Sequence, residues 1–187
     1  LFGQDQAPAP VFKEGDTWQF NITRTVGNTS STELLEGTYE LTFTQGNVKL
    51  YQVSGSQKDE MPIQPDGATQ ILLNLLGKSE QLQGLKFPLS VGQEWTWEYK
   101  YRVPGGRRDI RAYVKANVVG IEQVTTPAGS FKAYKLVSSS RTELGPNVTT
   151  STRFYSPDTK SIVKASAVNS ANPGSTQTEL IKFTPGQ

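Results

Sequence analysis

The sequence predicts an all-β fold, with two related antiparallel β-units arranged as a sandwich or a twisted open barrel and at most one short helix. Apolar and polar residues alternate along much of the 187-residue chain. Turn-forming Gly, Pro, Asn and Asp separate these alternating stretches. The chain is also too rich in Thr and Gly for a helical bundle, and too rich in aliphatic and aromatic residues for disorder.

Residues 1–10 are expected to be the remnant of an export signal and a linker. Residues 1–4 have the form of the end of an apolar signal region, and residues 5–10 are rich in Ala and Pro. We therefore expect export to the bacterial periplasm, the outer membrane surface or the medium. No apolar run is long enough to cross a membrane, which predicts no transmembrane segment. Residues 11–187 are expected to form one β domain.

An internal repeat organises this domain. Residues 12–20 match residues 89–97, each with a Gly followed three positions later by Trp and then a second aromatic residue. Residues 48–54 match residues 131–137 in the same order. Two ordered matches predict two similar β-units, at about 11–77 and 87–183, that pack their apolar faces together.

The first unit has a clear strand pattern. Trp18, Phe20 and Ile22 alternate with polar residues, as in a half-buried strand. Residues 38–44 form a second predicted strand, which a tight turn at 45–47 connects to a third at 48–54.

The second unit repeats this meander and extends it. Its predicted turns lie at 104–106, 126–129 and 156–159, where Gly, Pro or Asp cluster. Its predicted strands are 95–103, 109–124, 131–138, 148–155, 161–168 and 179–183. The last of these is expected to close an edge of the sheet.

Residues 68–76 fit a helix and a strand equally well, because the spacing of apolar residues in so short a run does not distinguish the two. As a helix, the segment would have Asp66 as N-cap and Gly77 just beyond its end. One face would then carry Ile71, Leu72, Leu75 and Leu76.

Three blocks resemble bacterial exported and lipoprotein-type β-rich domains of unknown function. The blocks are FPLSVGQEW at 87–95, VTTPAGSFKAYKL at 124–136 and FYSPDTKSIVK at 154–164. In that group the patterns VGxxW, PAGxFxA and YxPxxxxxVK recur in this order. The resemblance covers residues 87–164 and implies an all-β envelope protein with no assigned activity. It brings no catalytic residues.

An aromatic stripe is the first candidate binding feature. Four aromatic residues at alternate positions share one face of a single strand. If that face is open to solvent, it is a stacking platform for sugar rings or unpaired bases. If it is buried, it is core, as the equivalent residues of the first unit suggest. A mixed arrangement has both Trp buried and both Tyr at the rim.

A basic hairpin is the second candidate. Arginines and lysines between residues 100 and 115 could form a positive stripe for an anionic ligand, or could protect an edge strand from pairing. The two features together supply the candidate ligand-binding residues, which are Trp95, Trp97, Tyr99, Tyr101, Arg102, Arg107, Arg108 and Arg111.

The composition argues against catalysis. With no His and no Cys, the chain has no imidazole base, no thiol nucleophile and no His- or Cys-ligated metal site. Glu94 and Glu98 form a close carboxylate pair. Acidic residues this near in sequence are usually solvated surface charges, whereas catalytic carboxylate pairs normally come from distant segments. Ser161 and Lys164 match a Ser-x-x-Lys spacing that needs a helix to bring the side chains together. We predict no enzyme, no metal and no cofactor, and a net charge of +2 predicts no nucleic acid partner.

The predicted function is therefore a non-enzymatic envelope or secreted protein for binding or scaffolding. Envelope glycan, lipid or another envelope protein are its candidate partners. One alternative is a carrier that holds an apolar or lipidic ligand between two curved sheets, with residues 71–76 as a lid. Others are a carboxylate-dependent polysaccharide hydrolase, and an assembly subunit with an unpaired edge strand at 179–183.

Overall fold

The computed structural model describes residues 5–25, 36–65, 67–102 and 105–187, without the side chains of residues 172 and 173. The predicted signal remnant at 1–4, the predicted N-cap Asp66 and residues 103 and 104 lie outside these ranges. The described elements are β1 (Gln6–Ala7), β2 (Thr17–Arg24), β3 (Gly37–Thr44), β4 (Asn47–Ser54), β5 (Gln57–Met61), α1 (Ala68–Asn74), β6 (Leu89–Ser90), β7 (Glu94–Tyr101), β8 (Ile110–Thr126), β9 (Gly129–Thr142), β10 (Val148–Ser156), β11 (Ser161–Asn169) and β12 (Asn172–Thr184).

Ten of the described strands form one antiparallel sheet, which confirms the all-β prediction. Their order is β5-β4-β3-β2-β12-β11-β10-β9-β8-β7, and the sheet is not closed into a barrel. β1 pairs with β6 beside this sheet, so part of the predicted linker is a strand, and its Ala7 is buried.

The large sheet curls strongly around its core. The backbone N–H of Ala128, at the turn between β8 and β9, donates to the carbonyl oxygen of Leu180 on β12 at 3.3 Å. β8 and β12 are separated by three strands in the sheet, so this contact requires a tightly bent sheet. The indole Nε1 of Trp18 likewise donates to the carbonyl oxygen of Thr159 at 2.6 Å. One apolar cluster fills the concave side and joins both halves of the chain.

Two meanders lie within the sheet. Trp18 and Trp95, the matched tryptophans, occupy the second position of β2 and of β7. The meanders are joined by the pairing of β12 with β2, so both belong to one sheet that curls around the core. The repeat, with units at 11–77 and 87–183, stays a prediction.

The prediction of an edge strand at 179–183 is wrong. These residues belong to β12, which is a central strand with hydrogen-bonded neighbours on both sides, β11 and β2. Phe183 lies opposite Trp18, and their rings stack with centroids 5.7 Å apart. The segment lies in the middle of the sheet because β12 pairs with β2, the first strand of the other meander.

Residues 68–76 are helical over α1, which settles the choice that the sequence left open. Leu72, Leu75 and Leu76 are buried as expected, and Leu73 is buried as well. Ile71, by contrast, is 36% exposed, so its place on the buried face was wrong. Gly77 has a φ of +68°, the left-handed conformation that ends a helix.

Candidate functional site

The aromatic stripe lies on the concave face of β7, an edge strand of the sheet. Trp95 is only 7% exposed, and its Nε1 donates to the carbonyl oxygen of Gln83 at 3.0 Å. Trp97, Tyr99 and Tyr101 are half-buried. The stripe therefore passes from core at Trp95 to rim at Tyr101, close to the mixed arrangement, and it is not a flat open platform.

The segment that follows α1 runs along this edge. The side-chain amide of Gln81 donates to the carbonyl oxygen of Lys100 on β7 at 2.9 Å. Together with the bond from Trp95 to Gln83, this contact fixes residues 81–83 beside the stripe. The aromatic face thus becomes one wall of an enclosed space.

That space is a half-open cavity of about 250 Å³ between α1 and the concave face of the sheet, which we call the groove. Ile71, Leu75 and Leu82 line it on the helix side. Trp97 and Tyr99 line it on the side of β7. Its walls are therefore aromatic and aliphatic, as in pockets that bind small apolar molecules.

The floor of the groove is formed by small hydroxyl-bearing side chains. On β9 the inward residue Leu136 is fully buried, but the next inward positions are Ser138 and Ser140. This change from large to small residues leaves the space that the groove occupies. The Ser and Thr residues that line the groove are Ser138, Ser140, Thr149, Ser151, Ser166, Thr176 and Thr178.

Arg153 brings a buried positive charge to the groove. Its side chain lines the cavity and is 8% exposed. Nη2 donates to the carbonyl oxygen of Gly84 at 3.0 Å. The Asn74 side-chain amide is oriented so that its oxygen faces Arg153 and its nitrogen faces Leu82. Nη1 of Arg153 then donates to Asn74 Oδ1 at 3.1 Å, and Asn74 Nδ2 donates to the carbonyl oxygen of Leu82 at 2.9 Å. Burial lowers the pKa of Arg153 to about 10, so the guanidinium remains charged at neutral pH.

The basic hairpin lies on the opposite side of the sheet from the groove. Lys100 and Arg111 are cross-strand partners on the outward face, whereas Tyr99 and Tyr101 point to the concave face. A positive stripe beside Tyr99, Tyr101 and Tyr113 is a further expectation from the sequence. It is wrong for Tyr99 and Tyr101, because alternate residues of a strand point to opposite faces, whereas Tyr113 does share the outward face with Arg111.

Acidic residues offset much of the positive charge on this hairpin. Arg102 pairs with Asp109 at 2.7 Å, and Arg111 pairs with Glu98 at 3.3 Å. Arg107 and Arg108 are exposed in the loop before β8. Charged side chains of this kind are typical of an edge strand that is protected from pairing with another sheet.

The residues of the pairs that suggested catalysis each contact other partners. Glu94 pairs with Lys115 at 3.4 Å on the outward face, where Glu98 also lies. Ser161 is buried beside Thr159, whereas Lys164 pairs with Glu179. No group of three acidic residues that could hold a metal ion occurs within the described ranges. None of the helices among the described residues is long and apolar enough to span a bilayer.

Sequence reasoning offered a ligand cavity beside residues 71–76 as one alternative, but it missed the arginine that lines the groove. The available signal was the alternation of β10, which places Ser151, Arg153 and the buried Tyr155 on one face. A charged residue on an inward face is unusual and marks a position worth examining. The other groove residues come from distant segments, and their proximity follows from the sheet order.

No family model matches the chain, and no curated protein matches it. A candidate lipoprotein from Parabacteroides distasonis has a TM-score of 0.47 and 13% identity, over 97% of this chain and 100% of that one. A candidate exported protein with a YmcC-like fold from Bacteroides fragilis has a TM-score of 0.42 and 11% identity, over 95% of this chain and 99% of that one. We infer neither family nor function from them.

Proposed function

We propose that this protein is an exported, non-enzymatic binding protein that carries an apolar ligand in the groove. The observation that carries this proposal is a half-open cavity of about 250 Å³ with Trp97, Tyr99, Ile71 and Leu75 in its walls. An apolar cavity of about 150 Å³ already holds a benzene-sized molecule. The groove therefore has room for a ring or a short alkyl chain.

The role of α1 in this proposal is that of a wall. A lid formed by residues 71–76 would need to move, but Leu72, Leu73, Leu75 and Leu76 anchor the segment in the core. The backbone N–H of Ile162 on β11 also donates to the carbonyl oxygen of Leu75 at 2.7 Å. Ile71 is the partly exposed residue of this group and borders the mouth.

Two further parts of the proposal have separate support. The resemblance of residues 87–164 to bacterial exported domains supports export. The ion pairing of Glu94 with Lys115 and of Glu98 with Arg111 on the outward face supports a non-enzymatic role, because neither carboxylate faces the groove.

The test is a titration with N-phenyl-1-naphthylamine, a neutral apolar dye that fluoresces on leaving water. We expect saturable binding to the wild type. Ile71→Ser removes an apolar contact at the mouth and is expected to weaken binding about fivefold, since burying part of an Ile side chain contributes about 1 kcal/mol. Ile63→Ser is the matched control, because Ile63 is 50% exposed and lies outside the groove. Absence of saturable binding to the wild type would contradict the proposal.

A further inference from the structure

Arg153 differs from the other buried charges of this protein. Asp16 is fully buried and pairs with Lys160 at 2.6 Å, and Glu40 is buried and pairs with Lys58 at 2.7 Å. Arg153 is buried to a similar degree, yet it has no carboxylate partner among the described residues. An uncompensated charge in the interior is costly, and a bound anion would supply the missing negative charge.

The surroundings of Arg153 hold the guanidinium in place without neutralising it. A guanidinium has five N–H donors. Its acceptors among the described residues are two neutral oxygens, the Gly84 carbonyl and Asn74 Oδ1. Nε has no acceptor within the described part of the chain. The charge and hydrogen-bonding capacity that remain lie at the wall of the groove, where a bound molecule can reach the side chain.

We infer that the groove binds an amphiphile with an anionic head group, whose carboxylate or phosphate oxygens pair with Arg153. The apolar part of the ligand then lies against Trp97, Tyr99 and Ile71. A planar guanidinium forms charge-assisted hydrogen bonds with carboxylate and phosphate oxygens, and these are stronger than bonds between neutral groups. This inference rests on the proposed function, because it names the class of ligand for the same groove.

The first experiment compares four ligands of equal chain length on the wild type. Decanoate, decyl phosphate, decanol and decyltrimethylammonium each compete with N-phenyl-1-naphthylamine at neutral pH. The ionic ligands are kept below their micelle concentrations and decanol below its solubility limit. We expect the better of the two anions to bind at least tenfold more tightly than decanol, and the cation to bind most weakly. The order of decanoate and decyl phosphate then distinguishes a carboxylate ligand from a phosphate ligand.

The second experiment assigns the preference to Arg153. Arg153→Met keeps an unbranched apolar side chain about as long as the aliphatic part of Arg. It is expected to reduce anion affinity to that of decanol, with decanol affinity unchanged within about twofold. Arg153→Lys retains the charge and is expected to keep part of the preference. Arg141→Met is the matched control for net charge, because Arg141 is exposed on the outward face and stacks on Tyr113. It is expected to leave the preference intact.

The outcomes separate the inference from the proposed function. If decanoate, decyl phosphate and decanol bind the wild type equally, the inference is wrong and the groove remains an apolar site. If Arg141→Met abolishes the preference as fully as Arg153→Met, the assignment to Arg153 is wrong. If none of the ligands binds, the proposed function itself fails. Should Arg153→Met not fold, the wild-type series and Arg153→Lys still decide the result.

Discussion

Nη2 of Arg153 donates a hydrogen bond of 3.0 Å to the carbonyl oxygen of Gly84, from the middle of β10 to the segment that follows α1. This bond joins the floor of the groove to its helix side. The amide of Asn74, at the end of α1, bridges the same guanidinium to Leu82. The position of the charge and the width of the groove are therefore set by the same contacts.

Gly84→Ala is expected to destabilise the protein. A Cβ atom at this position would overlap Nη1 of Arg153 and the amide of Asn74. Overpacking of this kind usually costs about 1–3 kcal/mol in the free energy of unfolding, which urea denaturation measures. Gly145→Ala is the control, because a Cβ there meets nothing within 4 Å. Equal stability of the two variants would show that Gly84 is not packed against Arg153.

Much of the fold follows from the sequence because strand alternation is a local property. Trp18, Phe20 and Ile22 are buried as their spacing predicts, and a tight turn joins β3 to β4 at the expected place. Positive φ occurs at Gly46 and at Gln45, whereas the sequence favoured Gly46 and Asn47. The edge position assigned to 179–183 was wrong because strand order depends on contacts between distant segments. The central position of β12 next to β2 has no local signature.

The candidate site was predictable only in part. The stripe from Trp95 to Tyr101 could be recognised because its four aromatic residues occupy alternate positions of one strand. Its division into a buried end and an exposed rim depends on residues 81–83, which the tertiary fold places beside the stripe. Arg153 was missed because the alternation of β10 gives the face of a side chain but does not reveal an empty space on that side.

Filling the groove is expected to block it without loss of stability. Ala167 on β11 lines the cavity, and Ala167→Leu would place a larger apolar side chain in the space that the ligand needs. We expect the dissociation constant for N-phenyl-1-naphthylamine to rise about tenfold or more, equivalent to about 1.4 kcal/mol. Ala171→Leu, at the exposed turn before β12, is the control. Unchanged dye binding by Ala167→Leu would place the dye site elsewhere.

Because of Asp16, the free energy of unfolding of the protein is expected to fall in acid. Its carboxylate accepts hydrogen bonds from the backbone N–H groups of Lys13 and Gly186 and from Nζ of Lys160. Burial opposes ionisation, but these bonds outweigh it and hold the pKa of Asp16 below its ordinary value. A lowered folded-state pKa stabilises the protein above the unfolded-state pKa of about 3.9, and this contribution is lost as the pH falls through the folded-state pKa.

Asp16→Asn tests this acid dependence. Removing one partner of a buried ion pair is expected to cost about 3 kcal/mol at pH 7. The difference from the wild type should shrink between pH 5 and the acid limit of folding, as measured by urea denaturation at a series of pH values. Asp59→Asn, at an exposed position on β5, should follow the wild type throughout. A difference that stays constant with pH would contradict the role assigned to Asp16.

The occupancy of the groove by an apolar molecule is tested most directly by tryptophan emission during titration with decanol. Trp97 lines the groove, whereas Trp18 and Trp95 are buried in the core. Decanol is uncharged, so the result does not depend on Arg153. We predict a saturable change in emission for the wild type that is lost in Trp97→Phe. No saturable change in the wild type, or the same change in Trp97→Phe, would contradict the assignment of the groove as the binding site.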